Sequence, residues 1–360
     1  MGSDGKSHLG PRTYLAKADA ERFLQSIELE IHSGSWLSPS DKIRIDSSVR
    51  RFKEFALDHI ELQTNLKGQP LEKSTKALYE RLLILHLKDF HEVPINEISK
   101  QDVDRWWAKT VPSGKTTTSS KAYTLLFSVM KRAVSDGLIP VNPCKIVGAR
   151  SASSGKRVGS PSVDELWQIA DGIDQRFKFL ILISGYCALR FSEAVALRKK
   201  DIQPVKVDGT IVHFEVRITR AIKKAKGELY VGKPKSASGT RTIPIPEWMT
   251  DDVKAWLDNL DGSDETLLFR SGEANIWLRH DVFIKHWNRT LAKCELTGKG
   301  LTPHSLRHFG GTAFTFAGAT IPNLKALMGS SSMNSIQRYL HEDEEKSAIV
   351  NLMPKPSRMR

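Results

Sequence analysis

The sequence predicts a mainly α-helical protein with one small antiparallel sheet, divided into two domains. Three observations carry this prediction. The 360 residues exceed what one ordinary hydrophobic core encloses. Apolar residues recur at helical spacing through most of the chain, and strict alternation is confined to residues 211–245. A stretch rich in Gly, Ser, Lys and Arg at 147–160 separates two well-patterned halves.

A first helix is expected over 15–33, from the spacing of Phe23, Leu24, Ile27 and Ile31, ended by Gly34 and Ser38-Pro39-Ser40. A second covers 47–63, with Val49, Phe52, Phe55, Ala56 and Ile60 inward. Ser74-Thr75 precedes an apolar helix carrying Leu78, Leu82, Leu83 and Leu85. Ser99 is the predicted N-cap of a helix holding Val103, Trp106 and Trp107. Another helix runs over 117–135, and Gly137 and Pro140 close this half. In the second half, Ser160-Pro161-Ser162 starts a helix ahead of Leu166, Ile169 and Ala170. Residues 177–189 are almost continuously apolar, as a central buried helix would be, and a short helix is expected at 192–197. Residues 211–218, 228–232 and 241–245 read as one small antiparallel sheet. Helices return at 247–259, 276–293, 304–317 and 320–328.

Composition narrows the function. No run of about 18 apolar residues exists, which argues against a membrane span. Residues 1–30 lack the basic-then-apolar layout of a secretory signal. The cysteines, Cys144, Cys187 and Cys294, are few, distant and without a CxxC pair, so a reducing, cytoplasmic setting is expected. The net charge is +13. Residues 1–100 hold 15 basic and 15 acidic side chains, whereas residues 101–250 hold 25 against 13. The surplus thus lies mid-chain, where a polyanion would be gripped. Candidate DNA contacts are Lys109, Lys115, Lys121, Lys131 and Arg132 in the first half, Lys156 and Arg157 in the linker, and Arg241.

Four basic residues and a tyrosine carry the chemistry. Arg190 sits in Cys187-Ala188-Leu189-Arg190-Phe191-Ser192-Glu193, with Glu193 three residues on, able to hold its guanidinium. His304 and Arg307 share a face of a helix that Thr302 and Pro303 start, close to its anion-attracting N-terminus. His308 lies one step round and reads as a buried partner. Lys235 belongs to a Gly/Ser-rich turn that looks like a hairpin entering a strand, with Lys233 as the competing candidate. Tyr339 follows in Gln337-Arg338-Tyr339-Leu340-His341. Cations gathered around a tyrosine suit phenolate attack on a phosphodiester, since arginine forks hold two oxygens and stay charged. Taken singly, each residue has a simpler structural explanation; the inference rests on their order and context. Gly5-Lys6-Ser7 lacks the glycine and strand of a phosphate loop, and no metal-ligand cluster is evident, so no cofactor is expected.

In this order and context the residues resemble the tyrosine recombinase (phage integrase) family, over about residues 47–341. Leu327-Met328-Gly329-Ser330-Ser331-Ser332 is similar to the family's Leu-Gly-His-Ser-Ser stretch before the nucleophile. The resemblance implies a helical core-binding domain (45–146), a basic linker (147–160) and a mixed α/β catalytic domain (161–341). It maps the family's catalytic set onto Arg190, Lys235, His304, Arg307, Ser330 and the nucleophile Tyr339. Ser330 departs from it, standing where His or Trp is expected. The implied activity is site-specific recombination of double-stranded DNA at core-type attachment sites. It runs through a 3′-phosphotyrosyl link and a Holliday junction, without metal or ATP, in a tetramer inside a bacterial host cell, associated with its nucleoid. An accessory directionality factor is an expected partner, and a membrane is not. Residues 1–44 are expected to supply one helix, with an arm-type DNA-binding domain missing or vestigial. The tail, 342–360, is acidic and then apolar, suited to docking on this chain's own core or, as the family's ring assemblies imply, on a neighbouring protomer. A Xer-like resolvase role and a DNA-binding regulator that has lost activity are the alternatives.

Overall fold

A computed structural model describes residues 14, 16–34, 36, 38, 50–65, 67–111, 116–152, 158–272, 274–330 and 336. The chain divides into two compact units, Met1–Gly155 and Lys156–Arg360. Among the described residues no helix is long and apolar enough to cross a membrane.

In the first unit, helix α1 (Lys17–His32) has no buried residue. Helices α2 (Phe52–Leu62), α3 (Lys73–His86), α4 (Lys100–Thr110) and α5 (Thr116–Ser135) pack around Phe52, Phe55, Leu83, Trp106 and Tyr123. The Ser99 cap forms as expected: its hydroxyl accepts from the Asp102 N–H while Asp102 accepts from the Ser99 N–H, a reciprocal box. Large aromatics carry polar edges into this core, and each is satisfied. The Trp106 indole donates to the His86 carbonyl at 2.8 Å, and the Tyr123 hydroxyl accepts the Ile146 N–H at 2.9 Å. His59 is buried against Ser128, 2.9 Å away. Burial, and then the charge of Arg132, push its imidazole down to about 4, with Asp136 opposing.

The second unit is built on α7 (Lys178–Tyr186), in which Phe179 through Gly185 are all buried. Helices α6 (Val163–Gly172) and α11 (Pro303–Phe316) pack on it. Helix α8 is a single turn (Phe191–Ala194), followed by α9 (Thr250–Asp258), α10 (His280–Lys293) and α12 (Ile321–Met328). α11 approaches α7 at Gly310, where an added Cβ would lie 2.2 Å from the Gly185 carbonyl and 2.8 Å from Ala188 Cβ.

The strands depart from the sequence expectation. β1 (Ile202–Val207), β2 (Thr210–Ile218) and β5 (Arg241–Pro244) form one antiparallel sheet in the order β1-β2-β5. β3 (Ala221–Ala225) and β4 (Glu228–Gly232) form a separate two-stranded ribbon. Residues 228–232 therefore do not join the sheet. β1 escaped the alternation test because it is an edge strand, where Pro204, the charge of Lys206 and the bulge at Val205/Lys206 are tolerated. Asp208-Gly209 and Lys226-Gly227 turn the two hairpins with positive φ at both positions (49° and 80°; 48° and 93°), the primed turns that suit strand twist.

Two outcomes follow. Gly310→Ala forces α11 away from α7 and is expected to destabilise the protein by about 1–3 kcal/mol, as overpacking does; chemical denaturation measures it. An unfolded histidine takes its proton near 6.5, whereas His59 resists until about 4. This contribution to stability is complete above 6.5 and is lost as pH falls through 4. The drop in melting temperature between about pH 7 and about pH 5 should therefore be smaller in His59→Gln than in the wild type.

Candidate active site

The end of α7 sets the site. The Leu189 N–H donates to the Ser184 carbonyl and the Ala188 N–H to that of Gly185, both at 3.1 Å. This is the paired closure that usually places glycine at the left-handed position. Here that residue is Ala188, at φ 48°, a strained conformation held by full burial. The turn throws Arg190 out as the N-cap of α8, at a helix end between the apolar helix and the short one that the sequence implied.

Arg190 Nη1 donates to Glu193 Oε1 at 2.6 Å, and the Arg190 N–H donates to Glu193 Oε2 at 3.1 Å. Glu193 is 1% exposed. Burial opposes its ionisation, but Arg241 and then Arg190 outweigh that and hold its carboxyl below the usual range. It thus stays an anion and fixes the Arg190 fork, as the i+3 spacing anticipated. Neighbouring Cys187 is fully buried, and its thiol is pushed up to about 12, which removes it as a competing nucleophile.

Arg307 is only 4% exposed. Its Nη1 donates to the Ala188 carbonyl at 2.7 Å and its Nη2 to the Met328 carbonyl. His304, one turn earlier, is exposed at the helix start, where the Thr302 N–H donates to the Ser305 hydroxyl at 2.9 Å and Pro303 opens the first turn. Its ring meets that of half-buried His308 edge-on, with centroids 4.9 Å apart. Lys235 is exposed, on a loop leading through the short turn Ala237–Gly239 into β5. That loop joins strands of different sheets, so it is not the hairpin the sequence implied. Ser236 ties it down by donating to the Gly329 carbonyl at 3.1 Å.

α12 ends in Gly329, at φ 57° and ψ 46°. Its last carbonyls collect arginines: Leu327 accepts from Arg241 Nε at 2.8 Å, Met328 from Arg307, and Gly329 from Arg190 Nη2 at 3.4 Å. Cations belong at a helix C-terminus, whose carbonyls lack partners within the helix. Ser330 follows, 7% exposed, its N–H on the Lys325 carbonyl at 3.2 Å. Ile336 is buried against Ala188, Leu324 and Met328, and Tyr339 comes three residues later. Tyr339, Lys115, Lys156 and Arg157 lie outside the described residues.

A cleft of about 720 Å³ opens beside Arg190 and His304. Lys223 and Lys224 of β3 and Arg279 and His280 at the start of α10 also line it. The sequence reading missed these four: Lys223 and Lys224 because the Lys226-Gly227 turn makes β3 part of a hairpin, Arg279 and His280 because only the packed fold brings their helix start to Arg190. Of the DNA-contact candidates, Lys121 and Lys131 are exposed, Lys109 pairs with Asp89 at 3.0 Å, and Arg132 pairs with Asp136 at 3.2 Å over the Phe55 ring. Arg241 is corrected. It is 6% exposed, and its three nitrogens point inward to Leu327, Gly239 and Glu193, so it has no fork to offer a DNA backbone. Among the described residues no cluster of His, Cys, Asp or Glu could hold a metal ion.

Residues 156–346 match the phage integrase family. The prophage phiRv2 integrase of Mycobacterium tuberculosis is 30% identical over 99% of this chain and 92% of its own length. The integrase of Mycobacterium phage L5 is 28% identical, over 98% and 92%. Among solved structures, the Tn1549 transposon integrase bound to circular intermediate DNA aligns with a TM-score of 0.68, at 19% identity, over 84% of this chain and 99% of that one. A lambda integrase tetramer bound to a Holliday junction aligns with a TM-score of 0.62, at 16% identity, over 92% and 91%.

Proposed function

We propose, since this chain belongs to the phage integrase family and is a tyrosine site-specific recombinase, that it cuts and rejoins double-stranded DNA with Tyr339 as nucleophile. The observation that carries this reading is the convergence of Arg190 and Arg307 on the end of α12, the helix from which the chain runs on to Tyr339. The Tyr339 oxygen attacks the scissile phosphorus and the bond to the 5′ oxygen breaks, leaving a 3′-phosphotyrosyl ester and a free 5′-hydroxyl. Arg190 takes the charge that grows on the non-bridging oxygens; Arg307, deeper, supports it from beneath. Lys235 supplies the proton to the leaving 5′ oxygen, and His304 assists its removal from the tyrosine. The ester conserves the energy of the broken bond, so rejoining needs no nucleotide. Two such rounds pass through a Holliday junction.

The lambda integrase assembly supports a tetramer on DNA for this chain too. We assign residues 45–146 to core-type site binding, 147–160 to a basic linker, 161–341 to catalysis and 342–360 to docking on a neighbour. Lys109, Lys121, Lys131 and Arg132 supply backbone contacts, joined by Lys115, Lys156 and Arg157. The mycobacterial phage and prophage integrases support a bacterial cytoplasm, at the nucleoid, as the setting, and a directionality factor would bias integration against excision.

A nicked suicide substrate tests the reading, because loss of the short 5′ fragment traps the ester. Wild-type protein should give a covalent protein–DNA adduct and Tyr339→Phe none, with DNA affinity kept; tight binding without adduct would make the chain a regulator. Ser330→His should speed adduct formation by about five- to tenfold, the worth of roughly 1 kcal/mol of added hydrogen bonding to the phosphate. Equal rates would show that Ser330 already serves.

A further inference from the structure

Arg241 was counted above as a surface cation and proved to be buried. Its surroundings give it a different task. Strand β5 begins at Arg241, directly after the loop that carries Lys235, and its side chain touches three parts of the site. Nη1 donates to the Gly239 carbonyl of that loop at 2.9 Å. Nε donates to the Leu327 carbonyl at the end of α12 at 2.8 Å. Nη2 donates to Glu193 Oε2 at 3.0 Å, on the carboxylate whose other oxygen aims Arg190. A Cβ at Gly329 would lie 2.7 Å from Arg241 Nη1 and 2.8 Å from the Ser238 carbonyl, so glycine is what lets the helix end close over this guanidinium.

We infer that Arg241 is a positioning residue that couples the phosphate-binding arm of Arg190 and the Lys235 loop to the helix end from which the Tyr339 segment departs. This rests on the recombinase reading and extends it, because it makes one buried side chain responsible for the relative placement of three catalytic parts. Arginine is needed for geometric reasons. Lysine supplies one charged point, whereas these three acceptors lie in three directions around a planar fork. Glu193 needs the second cation as well. Facing Arg190 alone, a carboxylate this buried would keep only a neutral backbone N–H, that of Arg190 at 3.1 Å, on its Oε2. Arg241 acts through Glu193 on Arg190, and through Gly239 and Leu327 on the backbone around Lys235 and Ser330.

The test combines Arg241→Gln, Arg241→Lys and Arg190→Gln, singly and as the Arg241→Gln/Arg190→Gln and Arg241→Lys/Arg190→Gln pairs, in the full chain on the suicide substrate. Each Arg241 variant should keep DNA affinity within about twofold. Each should form adduct about 10- to 100-fold more slowly, below the cost of roughly 10²–10³ for removing a direct donor. Each pair should be faster than the product of its two single losses predicts, since residues acting as a unit are not additive. The defect should also shrink when the scissile phosphate is a methylphosphonate, which has less charge for Arg190 to neutralise; a purely structural role would not show that rescue. Losses that multiply in both pairs, or that persist undiminished on the methylphosphonate, overturn the coupling. So does failure of both Arg241 variants to fold, which would leave Arg241 a structural residue only. A wild-type chain that forms no Tyr339-dependent adduct overturns the recombinase reading itself, whereas a wild-type adduct with independent Arg241 and Arg190 defects overturns the coupling alone.

Discussion

The last turn of α12 is where the second unit is held together. Leu327, Met328 and Gly329 end the helix with three consecutive carbonyls, and Arg241, Arg307 and Arg190 each receive one. Such groups lack partners within the helix, and the Gly329 carbonyl takes the Ser236 hydroxyl as well. The three arginines come from three distant stretches of sequence, so satisfying one helix end fixes β5, α11 and the α7–α8 turn against each other. Gly329 makes the arrangement possible by adopting a left-handed conformation where a side chain would strike Arg241.

Concentrating positive charge in this way has a cost, and the structure offsets it unevenly. Glu193 neutralises part of the charge of Arg190 and Arg241 from a fully buried position. Arg307 has its two terminal nitrogens on the carbonyl oxygens of Ala188 and Met328, which fix its position beneath the mouth that opens at Arg190 and His304. The strained Ala188 belongs to the same account. Its carbonyl is one of the acceptors of Arg307, and its conformation turns the chain so that Arg190 faces outward two residues later.

Much of this was legible in the sequence because local chemistry dictates it. Ser99, Ser162 and the Thr302-Pro303 pair announce helix starts; the two serines cap with their side chains, and at Thr302 the Ser305 hydroxyl accepts the N-cap N–H. The Arg190–Glu193 pair follows from a three-residue spacing. What was not legible depends on contacts between distant segments. Arg241 reads as one more cation beside a flexible loop; only the approach of Glu193 and Leu327 makes it interior. β1 and β3 carry Pro204 and Lys223-Lys224, residues that weaken a strand signal and are admitted because one strand lies at a sheet edge and the other in a two-stranded ribbon. The lining of the cleft was hidden for the same reason, since it needs that ribbon to be in place.

The ribbon has an implication for how such proteins diversify. β2 pairs directly with β5, from Glu215 opposite Pro244 to Ile218 opposite Arg241, so the sheet closes without β3 or β4. The ribbon is an excursion from a completed scaffold, yet it lines the cleft beside Arg190 and His304. Ala221 and Ile222 anchor it in the core, so the freedom lies beyond them: changes at its exposed positions and its Lys226-Gly227 tip alter the wall of the cleft while leaving the sheet, the buried arginines and the helix end in place.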